Sequence, residues 1–193
     1  NYEDISNNSA TTDVKDNLKI DHTAPDVNKI KIEYKKDPLD TFLEVITLGF
    51  YNPSVTIRFT AYDDGVGINT FTWGYTKQNG ASTINHPAAI TGQEVDAIQD
   101  LSDKSKFTAE ITLTADEATQ FRGYLSVMAT DKYDNNSDQK DDRGNIFVVD
   151  TITPFISVEY PVDANRKDAN RRINYYNKDI QVKFVVTEAN FYP

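Results

Sequence analysis

Apolar and polar residues alternate along most of this chain with a period of two, the spacing of a strand with one buried face. The clearest run is 54–61, where Val55, Ile57, Phe59 and Ala61 alternate with Thr56, Arg58 and Thr60. Residues 106–114 put Phe107, Ala109, Ile111 and Leu113 on one face, and 122–130 do the same with Leu125, Val127 and Ala129. Residues 27–34 offer Ile30, Ile32 and Tyr34, residues 68–76 offer Phe71, Trp73 and Tyr75, and the apolar run 145–150 supplies a last strand. Three stretches lose the period. In 39–50, Phe42, Leu43, Val45, Ile46 and Leu48 cover more than one face. Asp40 suits an N-cap and Gly49 a stop, so a short helix is expected there; β-branched Val45, Ile46 and Thr47 keep a strand as the alternative. Thr114 with Glu117 has capping-box spacing and predicts one helical turn to Gln120. Residues 77–105 hold the turn signal Asn79-Gly80 and a possible helical turn in 92–101. At this length the stretch is expected to hide one short strand. Residues 131–144 read as a charged loop. The sum is an all-β, antiparallel β-sandwich of about seven strands with short helical turns.

The pattern occurs more than once. Ile20-Asp21-His22-Thr23-Ala24-Pro25 returns as Val149-Asp150-Thr151-Ile152-Thr153-Pro154, with 150 − 21 = 129 residues between the aspartates. Ile30-Lys31-Ile32-Glu33-Tyr34 returns as Ile156-Ser157-Val158-Glu159-Tyr160, an offset of 126. Tyr51-Asn52 with Val55, Ile57 and Phe59 returns as Tyr176-Asn177 with Ile180, Val182 and Phe184, an offset of 125; Asn7-Asn8-Ser9 returns as Asn135-Asn136-Ser137, an offset of 128. Ordered matches at one long period indicate tandem domains. The expected division is 1–21 as the tail of a preceding repeat, 22–150 as a complete domain and 151–193 as the first strands of a following repeat. Residues 14–20 would then be an orphan strand, ordered only if docked.

Charge narrows the partners. The 193 residues carry a net charge of −10, which disfavours nucleic acid and anionic membrane surfaces. No apolar run is long enough to span a bilayer, so neither nucleic-acid binding nor membrane insertion is expected. With Cys at 0, disulfides, thiolate metal sites and a cysteine nucleophile are excluded.

Several residues together carry a family likeness. Tyr51-Asn52, Ala61-Tyr62-Asp63 with Gly65 and Gly67, Met128-Ala129-Thr130-Asp131 with Asn135-Asn136-Ser137, and Asp150-Thr151-Ile152-Thr153-Pro154 occur in order. With residues 43–51 they resemble the bacterial immunoglobulin-like (Big-type) tandem repeats of Gram-positive cell-surface proteins. Lys132-Tyr133-Asp134 departs from the small turn common there, and the loop to Gly144 is longer. The resemblance implies an immunoglobulin-like sandwich, extracellular display on the cell wall, and neighbouring repeats as partners. It also implies a non-catalytic role: either an adhesin-like region that binds a host glycoprotein or immunoglobulin, or a purely structural stalk. Binding of glycans is a further alternative. A Trp on the third strand, here Trp73, is the usual core anchor of that fold. Residues 77–105 with 131–144 are the expected host-binding surface.

No catalytic residue, cofactor or metal ligand is assigned, and no enzyme is expected: His22 lies in a linker and His86 beside Pro87, with no nucleophile signature near either. In this fold the loop after the second strand, the last hairpin loop and the linker share one end. That would gather Asp21, Asp63, Asp64, Asp131 and Asp134. Carboxylates from several loops suit calcium, but turn-forming roles for the same residues stay open. A Lys–Asn crosslink of the kind some such surface domains carry would need Lys31 buried near Asn145. Tyr62 and Tyr133 lie near loops and offer exposed rings; Tyr175 and Tyr176 are expected to pack across the domain junction.

Overall fold

The computed structural model describes residues 2–3, 9–10, 20–36, 40–46, 49–79, 86–160, 166–168, 173–177, 179–188 and 190. Within 22–150 the strands are β1 (Lys31–Lys35), β2 (Gly49–Tyr51), β3 (Ser54–Tyr62), β4 (Ile68–Lys77) and β5 (Ala89–Asp96). They continue as β6 (Ile98–Gln99), β7 (Lys106–Thr114), β8 (Phe121–Asp131), β9 (Lys140–Asp141) and β10 (Phe147–Val149). One sheet runs β1-β3-β7-β6; the other runs β2-β10-β8-β4-β5, with β9 also on β8. All neighbours are antiparallel except β2 with β10, which are parallel.

The alternation builds the core as expected. Val55, Ile57, Phe59 and Ala61 of β3 are wholly buried, as are Leu125 and Ala129 of β8. Phe59 meets Phe71 across the two sheets with centroids 6.0 Å apart, and Tyr34 meets Phe147 at 5.8 Å. Phe71 and Tyr75 anchor β4. Trp73, expected as the anchor, is only partly buried at the margin of the core. Tyr75 satisfies its hydroxyl by accepting from the Arg122 N–H at 3.0 Å.

The helical expectations fail, each for a local reason. Among the described residues of 39–50 there is no helix. Leu43 exchanges backbone bonds with Tyr34, and Gly49–Tyr51 pairs with Phe147–Val149. The segment therefore crosses from the edge of one sheet to the edge of the other, which is why its apolar residues follow no single period. Ile46 faces in; Leu43 and Val45 face out. Residues 39, 47 and 48 of this prediction, and 14–19 of the orphan strand, lie outside the described residues. At 114–120 the Asp116 carboxylate accepts from the N–H groups of Ala118 and Thr119, closing a tight turn before any helix can propagate. Residues 92–101 contain no helix, and the described residues of 77–105 hold two further strands, β5 and β6, rather than one. The charged loop contains β9. Ten strands thus stand among the described residues of 22–150 where about seven were expected.

Past the sandwich, β11 (Phe155–Glu159) pairs with β12 (Lys183–Thr187). Their register repeats that of β1 with β3. Lys31 faces Thr60 and Ile32 faces Phe59 in the first pair; Ser157 faces Val185 and Val158 faces Phe184 in the second. The offsets of 126 and 125 read from sequence carry one set of partners onto the other. Two small hairpins, Tyr2–Glu3 with Ser9–Ala10 and Arg166–Asp168 with Ile173–Tyr175, complete the described strands.

Candidate functional site at the ends of the sandwich

The two junction aspartates lie at opposite ends of β8. Val149 faces Phe121 at its start, and the Asp150 N–H donates to the Tyr51 carbonyl at 3.1 Å. Asp21 lies at the far end, where its carbonyl accepts from Asn135 Nδ2 at 3.2 Å. Each aspartate bends its linker in the same way. Asp21 Oδ1 accepts from the Thr23 N–H at 2.9 Å, and Asp150 Oδ1 from the Ile152 N–H at 2.7 Å.

At the Asp21 end, carboxylate oxygens of Asp21, Asp63 and Asp131 all lie within 4.8 Å of one another. Three separate elements deliver them: the linker, the turn after β3 and the end of β8. Asp64 and Asp134 do not join this group. Asp131 is fully buried; its Oδ1 accepts from the N–H groups of Tyr133 and Asn135, and its Oδ2 from Asn135 Nδ2. Asp63 receives the N–H groups of Gly65 and Gly67, each at 2.7 Å. Gly67 is required there: its φ is +88°, and a Cβ would lie 2.6 Å from the Phe107 ring. The turn-forming role expected for these aspartates is therefore realised. An oxygen-only set is also the donor chemistry that calcium takes, and a carboxylate has about four acceptor sites, so these N–H groups leave acceptor capacity on each residue.

At the opposite end, a different set of polar side chains is buried. Gln120 Oε1 accepts from the Thr151 N–H at 3.0 Å, and its Nε2 donates to the Asp116 carbonyl and to Thr151 Oγ1. His86 is buried; its Nε2 lies 3.0 Å from Asn190 Oδ1. His22 is exposed in the linker. Of the two tyrosines expected to pack across the junction, Tyr176 does otherwise. Tyr176 stacks on Tyr160, past the linker, with centroids 6.4 Å apart, and Tyr175 is exposed. Tyr133 is exposed and Tyr62 half-buried.

A third polar cluster was invisible in the sequence. Between Ser126↔Asp141 and Gly123↔Phe147, β8 advances 126 − 123 = 3 residues while its partner advances 147 − 141 = 6. The three extra residues form a bulge, closed by the Asn145 N–H donating to the Asp142 carbonyl at 3.0 Å, that brings Asp142 and Asn145 together. Asn145 Oδ1 accepts from the Ile46 N–H at 2.8 Å, and its Nδ2 donates to the Glu44 carbonyl and to Asp142 Oδ1. The buried Tyr34 hydroxyl donates to Asp142 Oδ2 at 2.7 Å. Burial raises the Asp142 carboxyl above its ordinary value, against the pull of these two donors. The Tyr34 phenol is pushed up by burial first and by the Asp142 charge second. Lys31 has no part in a crosslink with Asn145. Its ammonium pairs with Glu44 at 2.8 Å on the exposed surface, and that hydrogen bond raises its pKa. The crosslink requires a buried, deprotonated amine.

Among the described residues no helix is long and apolar enough to cross a membrane. Comparison with protein-family models gives no match, and comparison with curated proteins gives no significant one.

Proposed function

We propose that this chain is a non-catalytic, load-transmitting segment of a modular bacterial surface protein, in which immunoglobulin-type sandwiches follow one another as a stalk. The observation that carries this reading is the placement of Asp21 and Asp150 at opposite ends of β8, so the chain enters one end of the sandwich and leaves by the other. The strand order supports the immunoglobulin type. Four strands, first-second-fifth-fourth in kind, oppose a sheet built on the last, the sixth and the third. The second unit supports the repeat. Ile156, Val158 and Phe184 are exposed where their counterparts Ile30, Ile32 and Phe59 are buried, the condition of half a core awaiting its second sheet. On this reading 1–21 belongs to a preceding unit, 22–150 is one module, and 151–193 opens the next.

Host-protein binding is the second reading, and one feature favours it. Thr91 and Gly92 of β5 and Gln139 before β9 come from the two segments expected to bind. They flank a depression of about 100 Å³ on the outer face of the larger sheet, beside Ser126 and Met128. It is smaller than the usual small-molecule cavity, so a protein surface suits it better. Immobilised full-length chain exposed to host secretions separates the readings. The stalk reading expects no specifically retained protein. Retention that Gln139→Arg abolishes would replace it with the adhesin reading.

A further inference from the structure

One side chain of the second unit crosses the junction into the sandwich. Asn190 is only 5% exposed. Its Nδ2 donates to Asp150 Oδ2 at 2.6 Å, and its Oδ1 faces His86 Nε2 at 3.0 Å. A carboxylate only accepts, so the Asp150 contact fixes the amide orientation, and His86 Nε2 must carry the hydrogen. His86 belongs to the connection between β4 and β5 of the first sandwich and is itself 6% exposed. Asn190 thus touches the linker and the upstream domain at once.

The other junction shows what this position does. At the offset of 125, Glu188 corresponds to Asp63 and Asn190 to Gly65. The local geometry repeats: Glu188 Oε1 accepts from the Asn190 N–H at 3.0 Å, as Asp63 Oδ1 accepts from that of Gly65 at 2.7 Å. A Cβ on Gly65 would lie 2.2 Å from Asp21 Oδ2, so this position faces the junction aspartate in both places. In one junction it carries a bridging carboxamide and in the other no side chain.

We propose that the His86 end of the sandwich is a docking surface for the next repeat unit, and that Asn190 is the latch that fixes that unit's orientation. The partner it fits is another sandwich of this kind, presenting a carboxamide two residues after the acid that follows its second strand. The Gly65 junction lacks the latch and is the looser joint. This rests on the tandem reading above.

The test uses the full chain. Residual dipolar couplings of β11 and β12 are measured against those of the first sandwich, together with the proton exchange of the His86 ring. The wild type is expected to share one alignment frame and to show a slowly exchanging Nε2–H. Asn190→Gly, which copies the Gly65 junction, should lose that protected proton and average the β11–β12 couplings toward zero. His86→Ala should average the couplings in the same way. Both variants should leave the couplings of β3 and β8 unchanged. Couplings in β11–β12 that are already averaged in the wild type, or that neither variant alters, overturn the latch. The rod reading fails separately, on the distance between Asp21 and Asp150.

Discussion

Asn145→Ala is expected to be the most costly single truncation of a polar side chain in the bulge between β9 and β10. The substitution removes the acceptor of the Ile46 N–H and both donors of the carboxamide. Ile46 is only 7% exposed, so water does not replace the lost acceptor, and the stranded N–H costs about 1–3 kcal/mol. The bonds to the Glu44 carbonyl and to Asp142 contribute roughly 1 kcal/mol each before solvent compensates at exposed Glu44. The sum is about 2–4 kcal/mol, a large share of the roughly 5–15 kcal/mol that holds a domain folded. Urea unfolding followed by the single tryptophan, Trp73, reads it directly. The midpoint should fall with an unchanged slope. Asn136→Ala, which loses only an exposed bond to Thr130 Oγ1, is the control and should cost under about 0.5 kcal/mol. An Asn145→Ala variant within about 0.5 kcal/mol of wild type would refute the reasoning, since it would mean the Ile46 N–H had found another partner.

Other perturbations test the junctions and the buried phenols. Asp131→Ala strands the N–H groups of Tyr133 and Asn135 and should cost about 2–4 kcal/mol in the same assay, more than Asp21→Ala, whose one N–H partner is exposed. Gly65→Asn should lower stability by about 1–3 kcal/mol, because its Cβ would lie 2.2 Å from Asp21 Oδ2 and force that carboxylate off the Thr23 N–H; an unchanged or raised melting temperature would contradict it. Burial raises the phenols of Tyr34 and Tyr75, the latter to about 12. A raised folded-state pKa contributes stability that is full below the unfolded value of 10.0 and lost as pH rises through the folded one. Denaturant midpoints should therefore hold steady up to about pH 10 and fall above it, with these two rings ionising only on unfolding in an ultraviolet phenolate titration.

Legibility followed exposure and continuity. β3 and β8 bury alternate residues against a full opposing sheet, so Val55 to Ala61 and Leu125 to Ala129 announced themselves. β5 is an edge strand exposed along most of its length, and its bulge at Thr91-Gly92 breaks the period; nothing in its residue order marks a buried face. Residues 39–50 misled because a segment that changes sheets points its apolar residues both ways. The meeting of Asp21, Asp63 and Asp131 followed from topology alone, once the loops sharing one end were known. Asp64 and Asp134, adjacent in kind, were not separable from them by sequence. The Asn145 cluster depends on a three-residue bulge that no local signal announces. Asn190 could have been found: extending the 125-residue offset beyond Phe184 sets it against Gly65.

The central claim is that the sandwich is traversed end to end. The chain contains no cysteine, so His22→Cys with Thr153→Cys places two spin labels without further change, both at exposed positions. The eleven residues of β8 at roughly 3.3 Å per residue set the separation of its ends. A pulsed electron-paramagnetic distance centred at about 35–45 Å is predicted from that length. A distance below about 25 Å would place both junctions at one end of the sandwich and contradict the stalk.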